Sequence, residues 1–290
     1  MVGWNDSVTE FIVYLSKNRR MSEHTCVAYE RDLQQFGDYL SSVGINQLDG
    51  VKSNHIRWWM SELMEQGIKP RTVNRKLSGL RTFFKYLRQH DMLLHDPMSR
   101  VVPPKTAKYL VKDIPRVDLE KMFARFPWEE FDTGERDRLL LLMLYTTGMR
   151  LSELIGLKNT DIDFSRNQLR VLGKRNKIRD IPLHPELADT LMAFTKTQSS
   201  KWVFSRSSGE PLYPVLVYRV VNKYLKLFSS ASKLSPHVLR HSFATHMLNN
   251  GANLMAIKDL LGHSSLSATQ VYTKSSFEKL KQIHGLHPRK

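Results

Sequence analysis

Two side chains near the start of a predicted helix have the types and spacing needed to bind a phosphate group. Ser235 and Pro236 are typical of a helix N-cap and of the first helical position, so His237 falls in the first turn, where free backbone N–H groups attract anions. Arg240 follows three residues later on roughly the same face, and a guanidinium suits a phosphate. The alternative interpretation is a structural histidine beside an unrelated surface arginine.

A histidine and a tyrosine near the C-terminal end form a second group. His263 follows Gly262, where one helical pattern ends, and Tyr272 comes nine residues after His263. A tyrosine hydroxyl has a pKa of about 10, so it is a poor nucleophile at neutral pH unless neighbours take its proton or stabilise the developing charge. Basic neighbours are abundant in this half of the chain. Tyr272 is therefore either a nucleophile or an ordinary amphipathic tyrosine.

The sequence offers little to a metal ion or an organic cofactor. His237 and His241 are four residues apart, a spacing that suits zinc, but no cysteine or carboxylate set completes such a site and the HExxH pattern is absent. We interpret His241 and His246 as structural. A single cysteine, Cys26, excludes a disulfide framework and indicates a reducing, cytoplasmic setting. Because the chain also has no GxxxxGKS/T loop and no carboxylate cluster for two magnesium ions, we expect no metal and no cofactor.

The elements that must position these side chains fall into two parts. Apolar residues recur at helical spacing in four segments of the first part. These segments are Val8–Leu15, Tyr29–Leu40, Ile56–Met64 and Val73–Leu87. Proline and basic residues interrupt the pattern between Asp96 and Lys112, as in an extended linker. We predict an N-terminal four-helix domain over 1–96, a basic linker over 97–112 and a second domain over 113–290.

The second part is predicted to be mixed. Helical patterns at Val117–Phe126 and Glu135–Tyr145 precede a break at Gly148, and another helix begins at Leu151. Three strand patterns follow, at Ile162–Phe164, Gln168–Leu172 and Ile178–Leu183. After Pro185 the pattern is mostly helical. The expected fold class is mainly α with a small antiparallel β-sheet at one edge.

The charge of the chain indicates a polyanionic partner. The formal net charge is +16 and the pI is about 9.9, and cations placed on phosphates release condensed counterions. Lys69–Arg88 holds seven basic residues and Ser165–Arg179 holds six, with no acid in either. The side chains expected to bind DNA are Arg71, Arg75, Lys76, Arg81, Lys85, Arg175 and Lys177. The alternatives are a solvated helix face and a merely soluble basic protein. No apolar run reaches the length of about 18 residues that spans a membrane, so no membrane partner is expected.

Five stretches, in their order and spacing, resemble the tyrosine recombinase (phage integrase) family, and within it the Xer type. They are Thr146–Leu154, Gly173–Lys177, Ser235–His241, Leu260–His263 and Val271–Tyr272. The resemblance covers nearly the whole chain, including the four-helix part and the linker. It implies an N-terminal SAM-like core-binding domain followed by a catalytic tyrosine recombinase domain.

The resemblance also implies roles for individual residues. Tyr272 would attack a DNA phosphodiester and form a 3′-phosphotyrosine. Arg150 and Arg240 would clamp the non-bridging oxygens, where negative charge develops. His263 would donate a further hydrogen bond, and His237 would assist proton transfer at the tyrosine.

A lysine would protonate the departing 5′ oxygen in this scheme. Lys174 matches it, because it directly follows Gly173 as in the family. Arg175 and Lys177 are close rivals for the role, since this loop is rich in basic residues.

Strand exchange joins two duplexes with two subunits on each, so the resemblance implies a tetramer on a double-stranded DNA recombination site. The subunits would be copies of this chain, or this chain with a second related recombinase. In resolving chromosome dimers at cell division, a septal DNA translocase would be a further partner. The segment Phe277–Ile283 would dock on a neighbouring subunit or, alternatively, pack on its own core.

Three other functions remain open at this stage. Within the family, the chain could be the integrase of a phage or transposon, although its compact length favours the chromosomal role. A type IB topoisomerase shares the tyrosine chemistry. A non-catalytic DNA-binding regulator would explain the charge and the helices, but not the joint presence of six catalytic residues.

Overall fold

Four helices build the first of the two units into which the chain divides, residues 1–109 and 110–290. The computed structural model describes residues 3–106, 112–173 and 178–262. The helices of the first unit are α1 Trp4–Lys17, α2 Glu23–Ser42, α3 Ser53–Glu65 and α4 Pro70–Gln89. The predicted four-helix arrangement is confirmed. Proline suits the first turn of α4, because its missing N–H has no helical partner there and its φ is already helical.

Aromatic side chains hold the first unit together. Phe11, Phe36 and Phe83 are fully buried between α1, α2 and α4, and each contributes about 1.5–3 kcal/mol by leaving water. Trp4 packs edge-on against Phe83 with 5.2 Å between ring centroids, and its indole N–H donates to the Leu33 carbonyl at 3.2 Å. The apolar stripes found in the sequence are therefore the contact faces of these helices.

The first unit continues beyond α4. Met98 and Val101, which lie in the predicted linker, are buried in the same core. Asn74 on α4 donates a hydrogen bond of 3.0 Å to the Pro104 carbonyl. The first residues of the predicted linker thus pack on the helical unit.

The second unit has seven helices among its described residues. They are α5 Arg116–Arg125, α6 Gly134–Thr147, α7 Leu151–Ile155, α8 Pro185–Lys196, α9 Pro214–Phe228, α10 Pro236–Asn249 and α11 Leu254–Leu261. The strands β1 Ile162–Asp163, β2 Gln168–Leu172 and β3 Ile178–Pro182 form an antiparallel sheet in the order β1-β2-β3. Leu169 pairs with Ile181 at the centre of the sheet, and both are fully buried. The expected fold class, mainly α with a small antiparallel sheet, is confirmed.

Helix α6 runs through the core of the second unit. Leu140, Met143 and Leu144 are fully buried, and from Leu139 to Thr147 the helix is buried on almost every side, as expected of an enclosed helix. Tyr145 at its end exchanges a buried hydrogen bond of 2.9 Å with Nδ1 of His246 on α10. Helices α6 and α10 are therefore fixed against each other. In the part of the chain that the structure describes, every helix is too short or too polar to cross a membrane.

Candidate active site

Arg150 owes its position to the glycine two residues before it. Helix α6 ends at Thr147, and Gly148 adopts a left-handed φ of 60°, which turns the chain so that Arg150 becomes the N-cap of α7. A side chain would not fit at this glycine. A Cβ there would lie 2.5 Å from a ring carbon of Phe243 and 2.8 Å from a methyl group of Leu261. Gly148 thus allows the turn to approach α10 and α11.

Arg240 projects from α10 toward this turn. The helix begins as predicted, with Ser235 as a hydrogen-bonding N-cap. Arg240 is 8% exposed, and its guanidinium donates to the carbonyls of Gly148 and Leu261, both at 2.6 Å. Burial, together with the nearby Arg150, lowers the pKa of Arg240 to about 10, so the group keeps its charge at neutral pH.

A carboxylate and a third arginine complete what we call the arginine cluster, made of Arg150, Glu153, Arg179 and Arg240. Glu153 on α7 accepts from the backbone N–H of Arg150 at 2.7 Å and from its Nη1 at 2.8 Å. Arg179 on β3 binds the same carboxylate with both terminal nitrogens, at 2.7 and 2.8 Å. The side chain of Glu153 is 2% exposed and that of Arg179 is 8% exposed.

The three arginines meet at the last turn of α11. Each donates to one of three successive carbonyls: Arg179 to Leu260 at 2.9 Å, Arg240 to Leu261 at 2.6 Å and Arg150 to Gly262 at 2.8 Å. The final carbonyls of a helix have no helical partner and carry partial negative charge, so they bind cations well. The cluster therefore holds together the turn after α6, strand β3, helix α10 and the end of α11.

The arginine cluster presents net positive charge, because three guanidiniums surround one carboxylate. Burial by itself raises the pKa of Glu153, but hydrogen bonds and charge from Arg179, with further bonds from Arg150, lower it to about 2. Glu153 is thus ionised throughout the physiological range. Arg150 is 28% exposed, more than either of the other arginines. Such a half-open cationic site suits the charged oxygens of a phosphodiester.

Comparison with known proteins assigns the chain to a family. The description "Phage integrase family" matches residues 119–279, a range that contains the whole arginine cluster. The chain belongs to the phage integrase family. A second description, "Phage integrase, N-terminal SAM-like domain", matches residues 8–91, so the four-helix unit of this family member is SAM-like, as the resemblance implied.

Several relatives match this phage integrase family member over almost their full length. Tyrosine recombinase XerC of Chlorobaculum parvum (strain DSM 263 / NCIMB 8327) is 35% identical, covering 96% of this chain and 93% of the relative. Tyrosine recombinase XerC of Staphylococcus aureus (strain MRSA252) is 36% identical over 96% of this chain and 95% of the relative. Tyrosine recombinase XerD of Listeria innocua serovar 6a is 33% identical over 98% of this chain and 99% of the relative.

Solved structures share the fold at lower identity. The Tn1549 transposon integrase in complex with a circular intermediate DNA superposes with a TM-score of 0.75 at 19% identity, covering 97% of this chain and 99% of that one. A lambda integrase tetramer bound to a Holliday junction superposes with a TM-score of 0.69 at 17% identity, covering 94% of this chain and 81% of that one. Both similarities extend across the two units.

The six residues predicted to be catalytic in this phage integrase family member fall into two sets. The structure brings Arg150 and Arg240 together at the last turn of α11 and places His237, exposed, in the first turn of α10. Outside the described residues lie Lys174, His263 and Tyr272, together with Arg175, Lys177 and the segment Phe277–Ile283.

The five basic residues predicted to bind DNA through α4 differ in their surroundings. Arg71, Arg81 and Lys85 are exposed, and so is Arg75, although its guanidinium binds Asp32. Lys76, which we predicted to bind DNA, is instead buried, and its ammonium lies 3.0 Å from the carboxylate of Asp32. The side chain of Asp32 is 1% exposed, so the charge of Lys76 compensates a buried carboxylate inside the first unit.

The histidines that we interpreted as structural have no part in the arginine cluster. His246 is buried between Tyr145 and Asp113, and burial lowers its pKa although Asp113 acts in the opposite direction. His241 is exposed on α10. Among the described side chains, no group of three or more His, Cys, Asp or Glu could hold a metal ion.

Glu153 and Arg179 were missed as site residues, although the sequence carries a signal for each. Glu153 stands three residues after Arg150, the spacing at which an N3 glutamate reaches back to the N-cap N–H. Arg179 stands two residues before the buried Ile181 on β3, so strand alternation places it on the inner face. An arginine on an inner face requires a carboxylate partner, which only the fold identifies.

Proposed function

We propose that this chain is a site-specific tyrosine recombinase that cuts and rejoins DNA through a 3′-phosphotyrosyl intermediate on Tyr272. One observation carries the proposal: Arg150 and Arg240, which are remote in sequence, bind adjacent carbonyls of the same helix turn. Two guanidiniums at one point supply the charge that a phosphodiester needs in its transition state. Membership of the phage integrase family supports the same reaction.

The arginines stabilise the reacting phosphate in this mechanism. The Tyr272 oxygen attacks phosphorus, and negative charge builds on the non-bridging oxygens, which Arg150 and Arg240 neutralise. Arginine suits this task better than lysine because its planar fork matches two oxygens and stays charged. His237 accepts the tyrosine proton, and His263 donates a hydrogen bond to the phosphate.

A lysine and a second DNA strand complete the reaction. Lys174 protonates the leaving 5′ oxygen, and the 5′ hydroxyl of the partner strand later attacks the phosphotyrosine. The phosphodiester energy is kept in the protein–DNA ester between the two steps. No nucleotide hydrolysis is therefore required.

The biological role that we favour is resolution of chromosome dimers at cell division, in the cytoplasm. Relatives named XerC and XerD are 33–36% identical over 96–98% of the chain, whereas the transposon integrase is 19% identical. The active assembly would be a tetramer on a double-stranded site, with copies of this chain or with a second related recombinase. A septal DNA translocase would control it. Integration of a phage or transposon is the second candidate, because those neighbours share the fold.

DNA binding would use both units. On the first unit, the exposed residues Arg71, Arg81 and Lys85 of α4 would contact backbone phosphates. On the second unit, Arg175 and Lys177, which lie between β2 and β3 in the sequence, would do so. These contacts fix the register of the protein on the duplex without reading its sequence.

The decisive experiment is covalent trapping on a nicked duplex that carries the site protected by the full chain in footprinting. The wild type should form an adduct that survives a denaturing gel, and Tyr272→Phe should form none while it still binds the DNA. Tyr213→Phe, a change of an exposed tyrosine elsewhere, should leave the adduct intact. A Tyr272→Phe protein that still captures DNA would refute the assignment. Relaxation of supercoiled DNA without site-dependent exchange would indicate a topoisomerase.

A further inference from the structure

Arg179 uses every nitrogen of its guanidinium within the protein. Nε donates to the Leu260 carbonyl at 2.9 Å, and Nη1 and Nη2 bind the two oxygens of Glu153 at 2.7 and 2.8 Å. The side chain is 8% exposed. Because both terminal nitrogens of Arg179 are paired with a carboxylate, its charge is already compensated and it is poorly placed to bind DNA, whereas the terminal nitrogens of Arg240 donate to backbone carbonyls. Any effect of Arg179 on the chemistry must therefore pass through its neighbours.

Glu153 connects Arg179 to Arg150. Its Oε1 is shared by Nη1 of Arg179 at 2.7 Å and Nη1 of Arg150 at 2.8 Å. Its Oε2 is shared by Nη2 of Arg179 at 2.8 Å and the backbone N–H of Arg150 at 2.7 Å. Water cannot replace Arg179, because the carboxylate is 2% exposed. Without Arg179, the buried charge of Glu153 would draw the guanidinium of Arg150 toward itself.

Arg179 also joins two segments that carry predicted catalytic residues. It is the second residue of β3, which begins four residues after Lys174 in the sequence, and it binds the last turn of α11, which precedes His263 in the sequence. A Cβ at Gly262 would lie 3.2 Å from Cδ of Arg179, so the stem of the arginine packs against the end of the helix. Arginine suits this position because its fork holds the carboxylate while Nε still reaches a carbonyl.

We propose that Arg179 is a positioning residue for strand cleavage. It holds Glu153, which fixes the guanidinium of Arg150, and it holds the end of α11 beside them. The proposal rests on the proposed function, in which Arg150 stabilises charge on the scissile phosphate. Displacing a catalytic group by about 1 Å costs about 100-fold in rate, so a side chain that never touches DNA can control the reaction.

The test compares Arg179→Met and Arg179→Lys with Arg136→Met in single-turnover cleavage at saturating full-length protein. Arg136 is a matched control, because its guanidinium also binds a buried carboxylate, that of Asp137, at 3.0 and 2.8 Å, but lies outside the arginine cluster. Arg179→Met should slow cleavage about 100-fold and Arg179→Lys about 10-fold, since lysine keeps the charge but loses the fork. Arg136→Met should cleave at the wild-type rate even if its thermal stability falls.

A methylphosphonate at the scissile position separates positioning from general damage. This group replaces one charged non-bridging oxygen with a methyl group, so cleavage depends less on Arg150. The rate deficit of Arg179→Met should then shrink to below about 10-fold. Equal deficits on both substrates, or wild-type cleavage by a folded Arg179→Met protein, would overturn the proposal.

Three further outcomes keep the test decisive. If circular dichroism shows that Arg179→Met does not fold, the test uses Arg179→Lys instead. Its rate deficit relative to the wild type is then compared between the phosphodiester and the methylphosphonate substrate. If the wild type forms no adduct, the proposed function itself fails. If the wild type forms the adduct and both Arg179 variants match it, only the positioning role fails.

Discussion

The carbonyl oxygen of Gly148 accepts a hydrogen bond of 2.6 Å from Nη1 of Arg240. This bond ties the turn that leads to Arg150 directly to the second arginine, and both guanidiniums also bind the end of α11. The backbone of a glycine is thus part of the site, and its lack of a side chain is what allows α6, α10 and α11 to approach.

Replacing Gly148 with alanine should damage both stability and cleavage. The left-handed φ and the contacts of a Cβ with Phe243 and Leu261 together cost about 3 kcal/mol or more. Gly251→Ala is the matched control, because Gly251 has a φ of 87° but nothing within 4 Å of a Cβ, so we expect a loss of about 1 kcal/mol. Denaturant unfolding and covalent trapping measure both effects. Equal losses of stability in the two variants would show that packing at Gly148 is unimportant.

Arg240→Lys should slow cleavage while sparing DNA affinity. A lysine ammonium cannot span the Gly148 and Leu261 carbonyls as the guanidinium fork does, and it presents a single point to the phosphate. Loss of one preorganised donor to developing charge costs about 100- to 1,000-fold in rate. Single-turnover cleavage and equilibrium binding separate the two quantities. A weakened affinity with an unchanged rate would argue that Arg240 serves binding alone.

Glu153 should make the free energy of unfolding depend on pH over a defined range. Its pKa falls from 4.5 to about 2 on folding, so its contribution is complete above about pH 4.5 and is lost as the pH falls toward 2. The expected contribution is about 3 kcal/mol. Chemical denaturation should show Glu153→Gln less stable than the wild type at pH 7, with a deficit that shrinks toward pH 2. Glu120→Gln, an exposed carboxylate, should follow the wild-type curve. A pH-independent deficit would contradict this role.

Lys76 and Arg81 should respond in opposite ways, although both lie on α4. Lys76→Met leaves the buried Asp32 with less compensation, so we expect a loss of about 2 kcal/mol and an unchanged salt dependence of DNA binding. Arg81→Ala should change stability by less than about 0.5 kcal/mol and reduce the salt slope by about one. Fluorescence anisotropy across a salt series tests the slopes. A reduced slope in Lys76→Met would place its ammonium on DNA.

Local sequence patterns were good guides wherever the physical cause is local. The apolar stripe of α4, the capping residues Ser235 and Pro236, and the break at Gly148 all appear in the structure where the sequence predicts them. Element ends were less well placed, as at β1, which was predicted to reach Phe164 but ends at Asp163. Main-chain geometry depends on neighbours within a few residues, so these patterns are readable without the fold.

Partners of buried charges were beyond the reach of the sequence. Lys76 stands three residues after Val73 and four before Leu80, a spacing that indicates the buried face of α4, but its partner Asp32 is 44 residues away. Arg179 and Glu153 are likewise 26 residues apart. A basic side chain that pairs with a buried carboxylate is not available to bind DNA. That carboxylate is distant in sequence, so no local pattern predicts the pairing.

The sequence by itself determined the fold class and the helices, because residue types and short spacings carry that information, and its resemblance to the tyrosine recombinases identified Arg150 and Arg240 as candidate catalytic residues. Only the tertiary structure decided that Arg150, Arg179 and Arg240 share the last turn of α11 and that Glu153 holds two of them. Buried charges are stable only beside compensating groups, and those groups come together only when distant segments pack.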